Sequence, residues 1–314
     1  MKTRFILNPY SGRNRRRPWL AGAIRDFISA QGLEADLVIT EAPGHATSLA
    51  SEAANAGCTF VVAVGGDGTM NETAQALVGT PTALAMVPCG SGNGLALHLG
   101  LPRSLRRALE LATGTGGRIA AVDTGTANGL PFFNVMGLGL DAEVSRRFNA
   151  LTRRGLPAYV RTALGVVRDR RDESVCVTCH GQVETLDVLL LAVANSDQYG
   201  NHARIAPGGR ADDGLLDLVA VRPVGLAGAA ELAARLFLGN FDRSSLVRRW
   251  RGRRFVINRL SPGIIHTDGE TFATSAAIEV IVHPGSLRVL VPMQSRMAVA
   301  PLVPALTGLG LQTP

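Results

Sequence analysis

The sequence predicts an α/β protein: an N-terminal doubly wound, mostly parallel α/β domain, followed by a C-terminal antiparallel β-sandwich domain. Three observations carry this. The length of 314 residues, at about 150 residues per domain, gives two domains. Up to Asp123, short apolar runs alternate with helix-like segments, the pattern of a parallel sheet with crossover helices. Beyond Asp123 the runs fall closer together, at hairpin spacing. The expected boundaries are 1–124 for the first domain and 125–292 for the second, with the tail 293–314 returning onto the first.

In chain order, Arg4–Asn8 is a strand ended by Pro9, and a helix from Trp19 to Gln31 stops at Gly32. Ala35–Thr40 is a second strand, and Thr47–Ala56 an Ala-rich helix closed by Gly57. Thr59–Val64 is a continuous run rich in β-branched residues, as a strand buried on both faces requires. Gly65-Gly66-Asp67-Gly68-Thr69 then leads to a helix, Met70–Leu77, and a strand, Ala83–Val87. A second Gly-rich turn, Pro88–Gly94, precedes the apolar helix Leu95–His98. Val122–Thr126 and Phe132–Met136 flank Asn128-Gly129, a hairpin signal. Val175–Cys179, Val183–Val193, Leu215–Val221, Phe255–Ile257, Ile264–Thr267, Ile278–Val282 and Leu287–Val291 are the later strands. Helices are expected there only around Ala158–Arg168 and Ala227–Leu238.

Hydrophobic residues make up 46% of the chain and charged residues 18%, which excludes intrinsic disorder. The formal charge is +7, and of the 32 basic residues only Lys2 is a lysine. Any fixed cation is therefore an arginine, and the balance suits an anionic partner. The apolar run Phe5-Ile6-Leu7 is too short for a signal peptide. The uncharged stretch Met297–Leu311 is too short to span a membrane and contains two prolines, so a cytoplasmic location is expected. Cys176-x-x-Cys179, followed by His180, lacks the further ligands a zinc site needs and lies in a strand-like run.

Chemistry concentrates in the loops after the strands. Glycines at 65, 66 and 68 let backbone amides approach an anion at a helix start. A carboxylate in such a loop repels phosphate unless it positions a cation or handles a proton, so Asp67 is a candidate for Mg²⁺ positioning or base work. Gly90-Ser91-Gly92-Asn93-Gly94 and Asn8-Pro9-Tyr10-Ser11-Gly12-Arg13 also end strands. In a parallel sheet all three loops emerge at the carboxyl edge, which makes a nucleotide pocket. The chain has no Gly-x-x-x-x-Gly-Lys-Ser/Thr, and no Gly-x-Gly-x-x-Gly follows its first strand, so neither a P-loop nor a standard dinucleotide fold is expected.

Together, Asn8-Pro-x-Ser-Gly-Arg13, Gly65-Gly-Asp-Gly-Thr-Met-Asn-Glu72 and Pro88-x-Gly-Ser-Gly-Asn93 resemble the diacylglycerol kinase catalytic-domain family, which includes bacterial lipid kinases and sphingosine kinases. Phe133-Asn134 through Asp141-Ala142, Asp212-Asp213-Gly214-Leu-Leu-Asp217 and Asp268-Gly269-Glu270 resemble its later signatures. The resemblance implies an ATP-dependent lipid kinase of phospholipid metabolism, with ATP in the cleft between the domains. It implies ATP contacts at Asn8, Ser11, Arg13, Thr40, Gly66, Asp67, Gly68, Thr69, Met70, Asn71, Glu72 and Ser91. It implies Glu270 as general base, with Asp67 competing for that role as in sphingosine-kinase relatives and Asp268 beside it. It also implies a structural Mg²⁺ on Asp213 and the backbone oxygens of Arg210 and Leu215, with Asp123 reached through water. Gly-Ser-Gly-Asn in the second loop is nearer the sphingosine-kinase form, and Arg13 stands where several relatives carry lysine.

Diacylglycerol is the default acceptor. A sphingoid base, a soluble alcohol such as NAD, and a nucleotide-binding regulator without catalysis stay open. Arg15-Arg16-Arg17-Pro18-Trp19 and Arg248-Arg249-Trp250-Arg251 place both tryptophans in basic clusters, a composition suited to docking on an anionic bilayer. Aromatics are only 5% and no nucleic-acid motif is present, so no nucleic acid is expected as partner. A homodimer is compatible with the sequence.

Overall fold

A computed structural model describes residues 1–149 and 173–300, with 162, 165 and 166 between them. In the N-terminal half, β1 (Thr3–Leu7), β2 (Ala35–Ile39), β3 (Phe60–Gly65) and β4 (Ala83–Pro88) run in the order β2-β1-β3-β4. All three pairings are parallel. Successive side chains point to opposite faces. Ile6, Val61, Ala63 and Met86 pack with α2 (His45–Asn55), α3 (Asp67–Leu77) and α4 (Gly94–His98). Phe5, Leu7, Val62 and Val64 pack with α1 (Leu20–Ala30) and α5 (Leu105–Ala112). Burial on both faces is why Phe60–Val64 carries no polar residue. The order reverses between β1 and β3, which opens a crevice at their carboxyl ends.

The C-terminal half is a sandwich. β5 (Gly117–Ala127), β6 (Leu130–Phe132), β8 (Glu173–Cys179), β9 (Gln182–Val188), β13 (Arg254–Arg259) and β16 (Ala277–Pro292) continue the first sheet. β7 (Val135–Gly139), β10 (Leu190–Ala194), β11 (Leu216–Val221), β12 (Val247–Gly252), β14 (Gly263–Thr267) and β15 (Glu270–Thr274) form a second, in the order β12-β11-β10-β7-β14-β15. Phe132, Phe255 and Ile257 from one layer meet Met136, Leu191, Leu218 and Ile265 from the other. α6 (Leu140–Asn149) follows β7, and α7 (Leu226–Leu238) packs Leu232 on the outer face of the second sheet.

β16 joins the halves. It pairs antiparallel with β13 and β5, and parallel with β4 at Val289 and Leu84. The strands expected at Ile278–Val282 and Leu287–Val291 are therefore one strand, with a register shift between His283 and Leu287. Val183–Val193 instead splits at Leu189 into β9 and β10, which lie in different sheets. β12, β15, α5 and α6 are additional to the expected elements: charged residues break up the apolar period of β12, α5 and α6, and β15 is only five residues long. α3 begins at Asp67 rather than Met70, so part of the Gly-rich segment is its first turn. The helix expected at Ala158–Arg168 lies outside the described residues, apart from three helical positions. Residues 293–300 pack on β5: Met297 enters the N-terminal core, and the Ala300 N–H donates to Ile119 O at 3.0 Å.

Candidate active site

The loop after β1 and the second Gly-rich loop, after β4, close around the N-terminus of α3. Ser11 Oγ accepts the Gly66 N–H at 2.7 Å, and Asn8 Nδ2 donates to Thr69 Oγ1 at 3.1 Å. The Arg13 N–H donates to Cys89 O at 3.1 Å, and the Cys89 N–H to Gly65 O at 2.7 Å. Glycine is obligatory where these backbones touch. A Cβ on Gly90 would lie 2.6 Å from Gly66 Cα, and one on Gly12, at φ +44°, 2.7 Å from Cys89 O. Gly68 differs: it is exposed, and a Cβ there would meet nothing within 4 Å. The first amides of α3 have no intrahelical acceptor and the helix dipole favours an anion there. Exposed Arg13 and Ser91 flank this opening. Free amides at an open helix start can bind an anionic group.

The other expected nucleotide contacts are placed differently. Thr40 is buried, with its N–H on Leu7 O at 2.9 Å, and Met70 lies in the core. Glu72 faces α2, where its Oε2 accepts the Ala46 N–H at 3.2 Å in the first helical turn. Buried Asn71 points toward the second half, donating from Nδ2 to Asp268 Oδ2 at 2.8 Å.

The three candidate catalytic carboxyls are in very different states. Asp67 Oδ2 accepts the Asn93 N–H and Oδ1 the Gly94 N–H, both at 2.8 Å, so it pins the second Gly-rich loop to α3. Desolvation raises its pKa against those two bonds. Asp268, at φ +50°, receives four donors. The Asn134 and Val135 N–H groups reach Oδ1 at 2.9 Å, and the Phe133 N–H and Asn71 Nδ2 reach Oδ2 at 2.8 Å. Burial pushes its pKa up and the four bonds oppose that. Glu270 opens β15 and is exposed, and its side chain has no hydrogen-bond or ion-pair partner among the described residues. Desolvation raises its pKa, and the charges of Glu72 and Asp268 raise it further.

Residues 2–140 match the family model described as the diacylglycerol kinase catalytic domain. Residues 134–291 match the YegS C-terminal NAD kinase beta sandwich-like domain. The chain belongs to the diacylglycerol kinase catalytic-domain family. It is 28% identical over 277 residues to the diacylglycerol kinase of Bacillus subtilis (strain 168), covering 86% of this chain and 89% of that one. It is 29% identical over 284 residues to a YegS-like protein of Pseudomonas syringae pv. tomato, described as a probable lipid kinase, covering 87% and 90%. A crystal structure from Bacillus anthracis str. Sterne, of a candidate diacylglycerol kinase, shares the fold with TM-score 0.75 and 24% identity over 92% of this chain and 96% of that one. The family is one of lipid kinases, and this chain is a kinase.

The Mg²⁺ site that the family resemblance implies does not fit the residues as they stand. Asp213 Oδ1 accepts the Leu215 N–H at 3.1 Å, and its Oδ2 is bonded by Arg251. Asp123 takes the Gly214 and Gly285 N–H groups, each at 2.7 Å. No group of three or more metal-ligating side chains occurs among the described residues.

The Trp250 cluster is likewise not a free basic face in this kinase. Trp250 packs against the sandwich core, and Arg248 lies over its ring at 4.8 Å while pairing with Glu184. Arg249 and Arg251 both pair with Asp217. Cys176 and Cys179 sit three residues apart in β8, on opposite faces, without a metal-ligand group.

One buried constellation near Glu270 was not anticipated. His266 Nε2 lies 2.9 Å from Asp141 Oδ2, and the Tyr199 hydroxyl donates to the same oxygen at 2.7 Å. Burial works against a charged His266, but the negative charge of Asp141, with that of Asp268 beyond it, holds its pKa above the ordinary value. Gly137 makes the room, since a Cβ there would lie 2.4 Å from Asp141 Oδ2. This cluster lies under the turn that carries Asp268 and Glu270. The available signal was a glycine in a strand beside an apolar run containing one histidine.

Proposed function

We propose that this kinase transfers the γ-phosphoryl group of ATP to a lipid hydroxyl, converting diacylglycerol to phosphatidic acid. One observation carries the reading. The hydrogen bond from Asn71 in α3 to Asp268 ties the anion-binding helix to the turn bearing Glu270, the one candidate carboxyl with both oxygens uncommitted. Phosphates enter at Gly68 and the first amides of α3, with Ser11, Ser91 and Arg13 at the rim. The nucleotide brings its Mg²⁺ as part of the substrate. Glu270 accepts the hydroxyl proton as the oxygen attacks the γ-phosphorus, ADP leaves, and the amides and Arg13 stabilise the developing charge. Asp67 is a poorer base, because taking a proton would disturb its bonds to the second loop.

A lipid acceptor requires contact with a bilayer. No helix among the described residues is long and apolar enough to cross one. The N-terminal cluster supplies a docking face: Trp19 is 54% exposed with Arg17 5.8 Å from its ring, beside exposed Arg15 and Arg16. No acid pairs with Arg13, Arg15, Arg16 or Arg17 among the described residues. This face adjoins the first phosphate loop, so anionic lipid would hold the cleft at the surface. The test offers labelled ATP and Mg²⁺ with diacylglycerol, a sphingoid base and NAD in separate reactions. Label in phosphatidic acid supports the reading. Transfer only to the sphingoid base or NAD, or ATP binding without transfer, overturns it.

A further inference from the structure

From sequence, the acidic loop 210–217 suggests a metal ion as its partner and the arginines of β12 a membrane. The fold brings them together. β12 pairs antiparallel with β11, in a register that sets Arg251 opposite Asp217 and Arg249 opposite Val219. Arg249 and Arg251 are two apart, so they share a face of the sheet. Both reach Asp217 Oδ1, Arg249 at 2.9 Å and Arg251 Nε at 3.1 Å. Arg251 Nη2 extends to Asp213 Oδ2. Arg210 forks onto Asp212 at 2.9 and 3.1 Å. Three carboxylates therefore face three guanidiniums, and the fourth acid, Asp123, is satisfied by the Gly214 and Gly285 amides.

We propose that Arg251 is a built-in structural cation. Its guanidinium bridges Asp213 and Asp217 and neutralises the loop as a resident divalent ion would, so the loop keeps its conformation without bound metal. Arginine suits the position. It stays charged, its planar fork addresses two carboxylates at once, and it is less strongly hydrated than an ammonium group. Mg²⁺ demands a near-octahedral oxygen shell and would have to displace Arg251 from Asp213. The loop is worth holding, because it meets the seam between the halves. Asp123 in β5 bonds both Gly214 and Gly285, the latter in the irregular segment of β16, and Asp212 Oδ2 accepts the Ala298 N–H of the tail. The inference rests on this loop alone and is independent of which alcohol the kinase phosphorylates.

The experiment is thermal unfolding of the nucleotide-free full chain, in EDTA and across a Mg²⁺ titration, with calorimetric titration of Mg²⁺ into the same protein. Wild type is expected to melt at one temperature in both conditions and to show no saturable Mg²⁺ heat. Arg251→Gln should melt several degrees lower in EDTA and recover part of the loss as Mg²⁺ takes the vacated position, by ordinary ligand linkage. Arg248→Gln, whose partner is Glu184, should not become Mg²⁺-responsive. A saturable Mg²⁺ response of wild type that Asp213→Asn abolishes would overturn the proposal. So would an Arg251→Gln protein that melts like wild type in EDTA. Should Arg251→Gln fail to fold, Arg251→Lys and the wild-type titration give the same decision.

Discussion

Asp268 and Glu270 stand two residues apart in one turn, and the fold treats them in opposite ways. Asp268 has four N–H donors on its two oxygens, three of them main-chain groups of residues 133–135. The Glu270 carboxylate has no bonding partner among the described residues. The same functional group is thus a structural hub at one position and a free acceptor two positions later. The difference comes from where the chain turns. With φ at +50°, Asp268 points its carboxyl back at the entry to β7, and the strand that follows turns Glu270 outward. Of the two carboxylates, only the one whose oxygens are not already bonded is free to accept a proton.

That contrast can be broken by substitution, beginning with the largest effect. Asp268→Ala strands several buried donors at about 1–3 kcal/mol each, and is expected to lower both stability and turnover, measured by denaturant unfolding and initial rates. Asp67→Asn keeps one acceptor but sets an NH₂ against a loop amide. It should destabilise by about 1–2 kcal/mol and raise KM for ATP more than it lowers kcat. Glu72→Gln tests the electrostatics. Glu270 must be ionised to accept a proton, so activity falls as pH drops through its raised pKa. Removing the Glu72 charge lowers that pKa and should move the acid limb of kcat/KM to lower pH. The smallest effect lies on the membrane side. Each of Arg15→Gln and Arg16→Gln should weaken anionic vesicle binding by about 1 kcal/mol, and Arg248→Gln should leave it unchanged.

The two arginine clusters repeat the lesson. Each contains a tryptophan and consecutive arginines, and sequence composition treats them alike. The cluster at Arg15–Trp19 lies on a short 3₁₀ turn and the chain beyond it, with Trp19 open to solvent. The other is strand β12, whose alternation sends Arg249 and Arg251 to Asp217 and seats Trp250 against the core. Composition alone could not separate them, because the register of β12 on β11 decides which acids lie within reach.

The Gly-rich loops after β1, β3 and β4 are legible in the sequence, because glycine at 12, 66 and 90 answers a local need for close backbone approach. The parallel strands were legible because burial on both faces demands unbroken apolar runs. The fusion of two apolar runs into β16, the division of Val183–Val193 between two sheets, and strands β12 and β15 depend on pairing partners far along the chain. The state of Asp268 depends on amides more than 130 residues upstream. Asp141 and His266 meet only because β14 pairs with β7 beside α6. No local pattern encodes such contacts.

The most direct test of Glu270 as the proton acceptor is Glu270→Gln, with kcat and thermal stability measured on the same preparation. Because the native carboxylate bonds to nothing in the described structure, the melting temperature should stay within about a degree of wild type, as for other surface substitutions. At the same time kcat should fall by about 10²–10⁴, the usual contribution of a positioned base. Wild-type turnover in this variant would contradict the account, as would a loss of turnover that merely tracks a loss of fold.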